Sequence, residues 1–166
     1  MRHVTGIALA LFLVLGGVLV AQESDLTQSE KDYLAFMREE EKLARDVYQA
    51  MYDQWGLQVF ANIAESEQQH MESVLTLIER YGLQDPVIAP GVFADPDLQQ
   101  LYNDLVARGS ERLEEALKVG ALIEEVDIQD LDTAIAVTTR DDIAVVYSRL
   151  RAGSENHLRA FVAQLR

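Results

Sequence analysis

An all-α fold, an antiparallel four-helix bundle, is predicted by three observations. Apolar residues recur at spacings of three and four through four long segments of the chain, the period of one face of a helix. No stretch alternates apolar and polar residues for long enough to read as a strand. The breaks within each pair of segments are short, which makes neighbouring helices antiparallel. A proline- and glycine-bearing stretch separates the two pairs, so a long crossover is expected between the second and third helices.

Each element has its own signals. Thr27-Gln-Ser-Glu30 reads as a capping box opening a first helix that runs to about Gln54, before Trp55-Gly56. Its apolar seam is Leu34, Met37, Ala44, Tyr48, Met51 and Trp55, interrupted by one acid, Glu41. Glu39 and Glu40 fall off the seam and are expected to be solvated. The second helix is expected over about 58–82, with Gly82 as its C-terminal cap. The crossover then carries a short helix begun by Asp95-Pro96 and ending near Gly109, whose Leu98, Leu101, Tyr102 and Leu105 should pack on the bundle. Ser110 is read as the cap of a third long helix to about Leu131, with 132–138 as a connector. Thr138-Thr139 before Asp141-Asp142 mark the start of a fourth. Gly120, inside the third helix, costs about 1 kcal/mol relative to Ala, which points to close helix contact or room for something bulky.

Residues 1–21 stand apart from this pattern. A basic start, Met1-Arg-His, precedes an apolar run from Val4 to Ala21, and polar residues follow. This is the layout of a secretory signal peptide, with an uncleaved N-terminal anchor as the alternative. Residues 22–166 are expected to form one four-helix-bundle domain, and the expected location is secreted, periplasmic or otherwise extracytoplasmic.

Composition narrows the chemistry. The net charge is −14, and no Lys/Arg cluster is present to bind phosphates, which excludes nucleic acid as a partner. With no Cys in the chain, disulfides, thiolate zinc sites and iron–sulfur centres are excluded. Any metal must use oxygen and nitrogen ligands, as Fe, Mn or Zn do.

The seams supply such ligands. Glu67 and His70 lie three residues apart among Phe60, Ile63, Val74 and Leu77, so both side chains share an apolar helix face. Glu124 and Asp127 repeat the spacing on the third long helix, and His157 lies on the seam of the fourth. With Glu41, four carboxylates and two imidazoles from four helices match the ligand inventory of a dinuclear carboxylate centre. Burying these groups is costly unless something compensates them, and two divalent ions would balance four carboxylates. The ordinary alternatives are a surface acid–imidazole pair or a hydrogen-bonded core histidine.

The chain resembles the ferritin-like superfamily, and within it a prokaryotic family classed as a domain of unknown function, DUF2202. The resemblance rests on Met37–Tyr48, Ser66–Met71, Gly120–Ile128 and Gly153–Phe161 and covers nearly all of residues 30–165. Glu41-x-x-Ala44-Arg45-x-x-Tyr48 is similar to the first-helix motif of rubrerythrins, Glu67-x-x-His70 to the second-helix motif, and Glu124 to the single third-helix Glu. One departure is Ser154, which stands where a second Glu-x-x-His motif would place its Glu before His157; Glu155 lies about 100° around the helix. Asp127 is the carboxylate available to replace it.

The resemblance implies a centre of two divalent metal ions, iron first and Mn or Zn as competitors, held by Glu41, Glu67, His70, Glu124, Asp127 and His157. Either Glu67 or Glu124 would bridge. It further implies an oxidoreductase acting on Fe(II) with dioxygen or peroxide, a di-iron oxidase, ferroxidase or peroxidase. The alternative is a non-catalytic metal-binding or interaction module of the cell envelope. Beyond metal ions and dioxygen or peroxide, the expected partner is a second copy of the chain, as a homodimer. The membrane enters only if the N-terminal segment stays uncleaved.

Overall fold

Two pairs of long helices build the molecule. The computed structural model describes residues 26–166; the segment 1–21, expected to be a signal peptide or an anchor, lies outside them. In order, the helices are α1 (Gln28–Trp55), α2 (Gln58–Arg80), α3 (Pro96–Gly109), α4 (Leu113–Val137) and α5 (Asp141–Gln164). Among the described residues there is no β-strand, and no helix is long and apolar enough to cross a membrane.

The helix ends follow from local chemistry. Thr27 and Glu30 form the expected capping box at the start of α1. Gly56 ends α1 in the left-handed region, φ 64°, a conformation open to glycine without strain. Asp95 caps α3, with Pro96 at its first position. Two expectations need correction. Ser110 closes α3 rather than opening the next helix; α4 begins at Leu113 after Arg112, which offers no side-chain cap. The connector expected at 132–138 is helical to Val137, because Leu131 and Ala134 continue the buried face. α5 starts at Asp141, where Thr138-Thr139 and the acid pair after them placed it, but neither threonine side chain caps it. Their hydroxyls and the Thr139 amide donate instead to Glu30 Oε1 at 2.8–3.1 Å.

Glu30 therefore joins two elements 108 and 109 residues away in sequence. Its Oε2 accepts from the Thr27 amide and hydroxyl while Oε1 accepts from the α4–α5 turn. Burial pushes its pKa up, but the Thr139 and Thr27 amides outweigh that and hold it at about 2.

The α2–α4 connection lies along α1. Arg38 pairs with Asp85, Asp46 accepts from the Gly91 amide, and Glu39 accepts from the Ala94 amide at 2.7 Å. Lys42, wholly buried, donates to Asp46 and to the Val92 carbonyl and sits 3.7 Å above the Phe93 ring. This cover overturns the expectation that Glu39 and Glu40 are solvated: they are 5% and 7% exposed. Leu98 and Leu105 of α3 are buried as expected, whereas Leu101 is 42% exposed.

The core is divided. One apolar cluster gathers Val47, Tyr48, Met51, Phe60, Val119 and Phe161; a second gathers Leu34, Met37, Val74, Leu77, Leu131 and Tyr147. Gly120 lets the first cluster close, since a Cβ there would lie 2.7 Å from the buried Phe161 ring. Between the clusters the chain places a layer of ionisable side chains.

Replacing Glu30 by Ala is expected to cost about 2–3 kcal/mol at pH 7, the scale of hydrogen bonds to a buried charge. Because its folded pKa lies below the unfolded 4.5, the contribution is present above pH 4.5 and lost as pH falls towards 2. Urea unfolding across that range should show wild type converging on Glu30→Ala.

Candidate metal centre

Glu41, Glu67, Glu124 and Asp127 are all no more than 5% exposed, and His157 is 8% exposed. They come from α1, α2, α4 and α5, each at the turn where its apolar seam passes from one cluster to the other. His70 is half-buried beside them.

Glu67 is the hub. Its Oε2 lies 2.7 Å from His70 Nδ1, and its Oε1 lies 2.7 Å from His157 Nδ1. His70 Nδ1 also reaches Glu41 Oε2 at 3.1 Å, and His157 Nδ1 reaches Glu124 Oε2 at 3.5 Å. Two groups of ligand-type atoms result, Glu41–Glu67–His70 and Glu67–Glu124–His157, each within 4.8 Å. Glu67 belongs to both, and the imidazole rings stack at 5.4 Å.

Of these contacts, the one between His70 Nδ1 and Glu41 Oε2 is a hydrogen bond, while those to Glu67 are short without being aligned as one. Glu67 Oε1 and Oε2, Glu41 Oε1, Asp127 Oδ1 and His157 Nδ1 are buried with no aligned partner. Buried polar groups ordinarily have one. Asp127 lies outside both groups, and its Oδ2 accepts from Ser154 Oγ. Glu155, one residue on, turns away to pair with Arg151 at 2.7 Å.

The electrostatics record crowding. Burial and then Asp127 push the Glu41 carboxyl well up. Burial raises Glu124 to about 8 against the opposing pull of His157. Asp127 rises to about 7, with burial outweighing the Ser154 hydrogen bond. For Glu67 burial is overcome by the His157 and His70 contacts, leaving it at about 2. Burial disfavours both imidazolium ions, but the carboxylates prevail, raising His70 to about 11 and His157 to about 9. Without a cation, protons are what balance this layer.

The surrounding residues fix the ligands. His157 turns its Nε2 to Ser66 Oγ at 2.9 Å, leaving Nδ1 inward. Tyr48 donates to Glu124 Oε1 at 2.6 Å. Gly153 makes room for His70: a Cβ there would lie 2.6 Å from the ring Nε2. Tyr48 and Ser66 carried no sequence signal for these roles beyond sharing segments with the ligands.

Residues 30–166 match the family described as an uncharacterized protein domain, DUF2202. The chain belongs to the DUF2202 family. It is 51% identical over 142 residues to the uncharacterized protein MJ0754 of Methanocaldococcus jannaschii, covering 84% of this chain and 77% of that protein. The crystal structure of hypothetical protein MJ0754 is similar in fold, with a TM-score of 0.83 over 84% of this chain and 81% of that one. Membership in DUF2202 matches the family resemblance read from Met37–Tyr48, Ser66–Met71, Gly120–Ile128 and Gly153–Phe161.

The raised pKa values of His70, His157, Glu124 and Asp127 share one sign. Each group holds its proton longer when folded, so its stabilisation is present below the unfolded pKa and lost as pH rises through the folded one. Metal-free protein is therefore expected to lose stability between about pH 6.5 and 9, at about 1.4 kcal/mol per pH unit for each proton held only by the folded state. Thermal unfolding in chelator at pH 6, 7.5 and 9 checks this. A stability that rises over that range would contradict the charge assignment.

Proposed function

We propose that this DUF2202 chain is a ferritin-like dinuclear metal protein, with two divalent ions, iron first, on either side of Glu67. The observation that carries the reading is the double grouping around Glu67, whose buried ligand atoms lack partners. Glu41 and His70 would hold one ion, Glu124 and His157 the other. Asp127, oriented by Ser154, would supply the fourth carboxylate in place of the Glu absent from α5. Four carboxylates then match the four positive charges.

Helix directions support the ferritin-like assignment. Glu30 of α1 meets the end of α4, and Arg80 of α2 meets Asp142 of α5, so α1 and α4 are antiparallel, as are α2 and α5. With α1 and α2 joined by a short turn, α2 and α4 run the same way, which requires a connection spanning the bundle. Segment 81–112 follows α1 as such a connection would.

Iron in such a site supplies one-electron chemistry with dioxygen or peroxide. The chain's own contributions are separate. The two apolar clusters exclude bulk water above and below the layer. Ser66 fixes the His157 ring, as outer-shell partners of metal-bound histidines do. Tyr48 holds a proton on Glu124 Oε1. The donor set, without thiolate, also accepts Mn or Zn. We place the protein outside the cytoplasm, on the N-terminal apolar run, where those ions would compete for the site.

Metal analysis of the purified chain is expected to give about two ions per chain, as for other sites of this type. Glu67→Ala should lose both and His157→Ala about half. Gly153→Ala, which displaces the His70 ring while leaving every ligand residue in the sequence, should also lower the content. Equal metal in all four proteins would sink the assignment. Fe(II)-dependent dioxygen consumption by the loaded protein would mark an oxidase; loading without consumption would mark a metal-binding module.

A further inference from the structure

A recess opens between α1, α3 and α4. Leu43, Leu98 and Ile123, each no more than 6% exposed, form its floor. Leu101, Leu122 and Val126, 39–42% exposed, surround its mouth. Glu40 is the one polar residue of the wall, and its carboxyl is turned to Asp127 and Asp130 of α4. The surface facing the recess is therefore hydrocarbon. Its volume is about 100 Å³.

Size and polarity together select the guest. A buried water makes about three hydrogen bonds, and this wall supplies no partner. Ions and peroxide are disfavoured for the same reason, since the hydrogen bonds they leave behind in water are not replaced. A dry apolar cavity of about 150 Å³ takes up benzene or xenon. At about 100 Å³ the recess suits an apolar molecule of fewer atoms than benzene.

The floor lies close to the metal layer. Ile123 precedes Asp127 by one turn of α4, a spacing that sets side chains about 5–6 Å apart at Cβ. Glu40 bridges the same step from α1, since it belongs to the recess wall and its carboxyl faces Asp127. We propose that the recess takes up dioxygen and supplies it to the metal layer. The proposal rests on the oxidase reading above and names its oxidant: dioxygen, which requires no hydrogen bond, rather than peroxide.

A first test needs no metal. Dioxygen is paramagnetic and speeds the relaxation of methyl groups it visits, so methyl-labelled protein in chelator is compared with and without dissolved dioxygen. The methyls of Leu43, Leu98 and Ile123 are expected to show a larger enhancement than those of Ile88 and Val145, which face solvent, and than those of the buried Leu77 and Leu131. Leu101→Trp should fill the mouth and bring the floor methyls down to the level of Leu77 and Leu131. Leu122→Trp, on another helix, does the same if the first variant does not fold. No excess at the floor, or an excess that both variants leave intact, would overturn the proposal. In the iron-loaded protein, Leu101→Trp should raise KM for dioxygen severalfold at unchanged kcat, as loss of substrate uptake does, and leave Fe(II) oxidation by peroxide unchanged. Equal slowing with both oxidants would overturn the supply role. Loaded wild type that consumes no dioxygen would remove the oxidase reading and the supply role with it, while the methyl result alone decides uptake by the recess.

Discussion

The charge on Glu67 is what the rest of the molecule is arranged around. A carboxylate 1% exposed, midway between two apolar clusters, is unfavourable by itself. It persists because His70 and His157 approach its two oxygens from different helices. Those imidazoles in turn bring Glu41 and Glu124 into the same layer. Removing one partner from such a set is more damaging than replacing the set with packed apolar residues. The orphaned atoms at its centre are the ones that the proposed pair of cations would bind.

The fold supplies rigidity on each side of that layer. Below it, Phe161 fits against Gly120 and packs with tilted rings against Tyr48 and Phe60. Above it, Glu30 ties the start of α1 to the α4–α5 turn. Along α1, the buried Lys42 with Asp46, Val92 and Phe93 fastens the α2–α4 connection. The helix bearing Glu41 is thereby held by its neighbours in the bundle and by the crossing segment, so the acid has little freedom to escape to water.

Much of this was legible in the sequence, for a physical reason. Apolar seams at spacings of three and four define a face, so an acid or histidine on that face is conspicuous. Glu41, Glu67, Glu124, Asp127 and His157 were found that way and are buried in the structure. Burial that depends on distant segments left no such mark. Glu39 and Glu40 lie off the seam of α1; Glu39 is covered by the segment at Ala94, 55 positions later, and Glu40 by α3 and α4. Thr138 and Thr139 mark the start of the adjacent helix through a local preference, whereas their bonds to Glu30 form only once the chain has folded. Which carboxylate is shared was equally hidden, since Glu67 and Glu124 have similar seam positions. Only the antiparallel placement of both histidines around Glu67 separates them.

The account stands on two cations sharing Glu67. A crystal of the full chain equilibrated with a divalent transition metal, with anomalous difference maps recorded at that metal's absorption edge, tests it directly. Two peaks are expected in the buried layer, one bounded by Glu41 and His70, the other by Glu124 and His157, with Glu67 between them. A loaded crystal with no peak in that layer, or with one peak remote from Glu67, would contradict it.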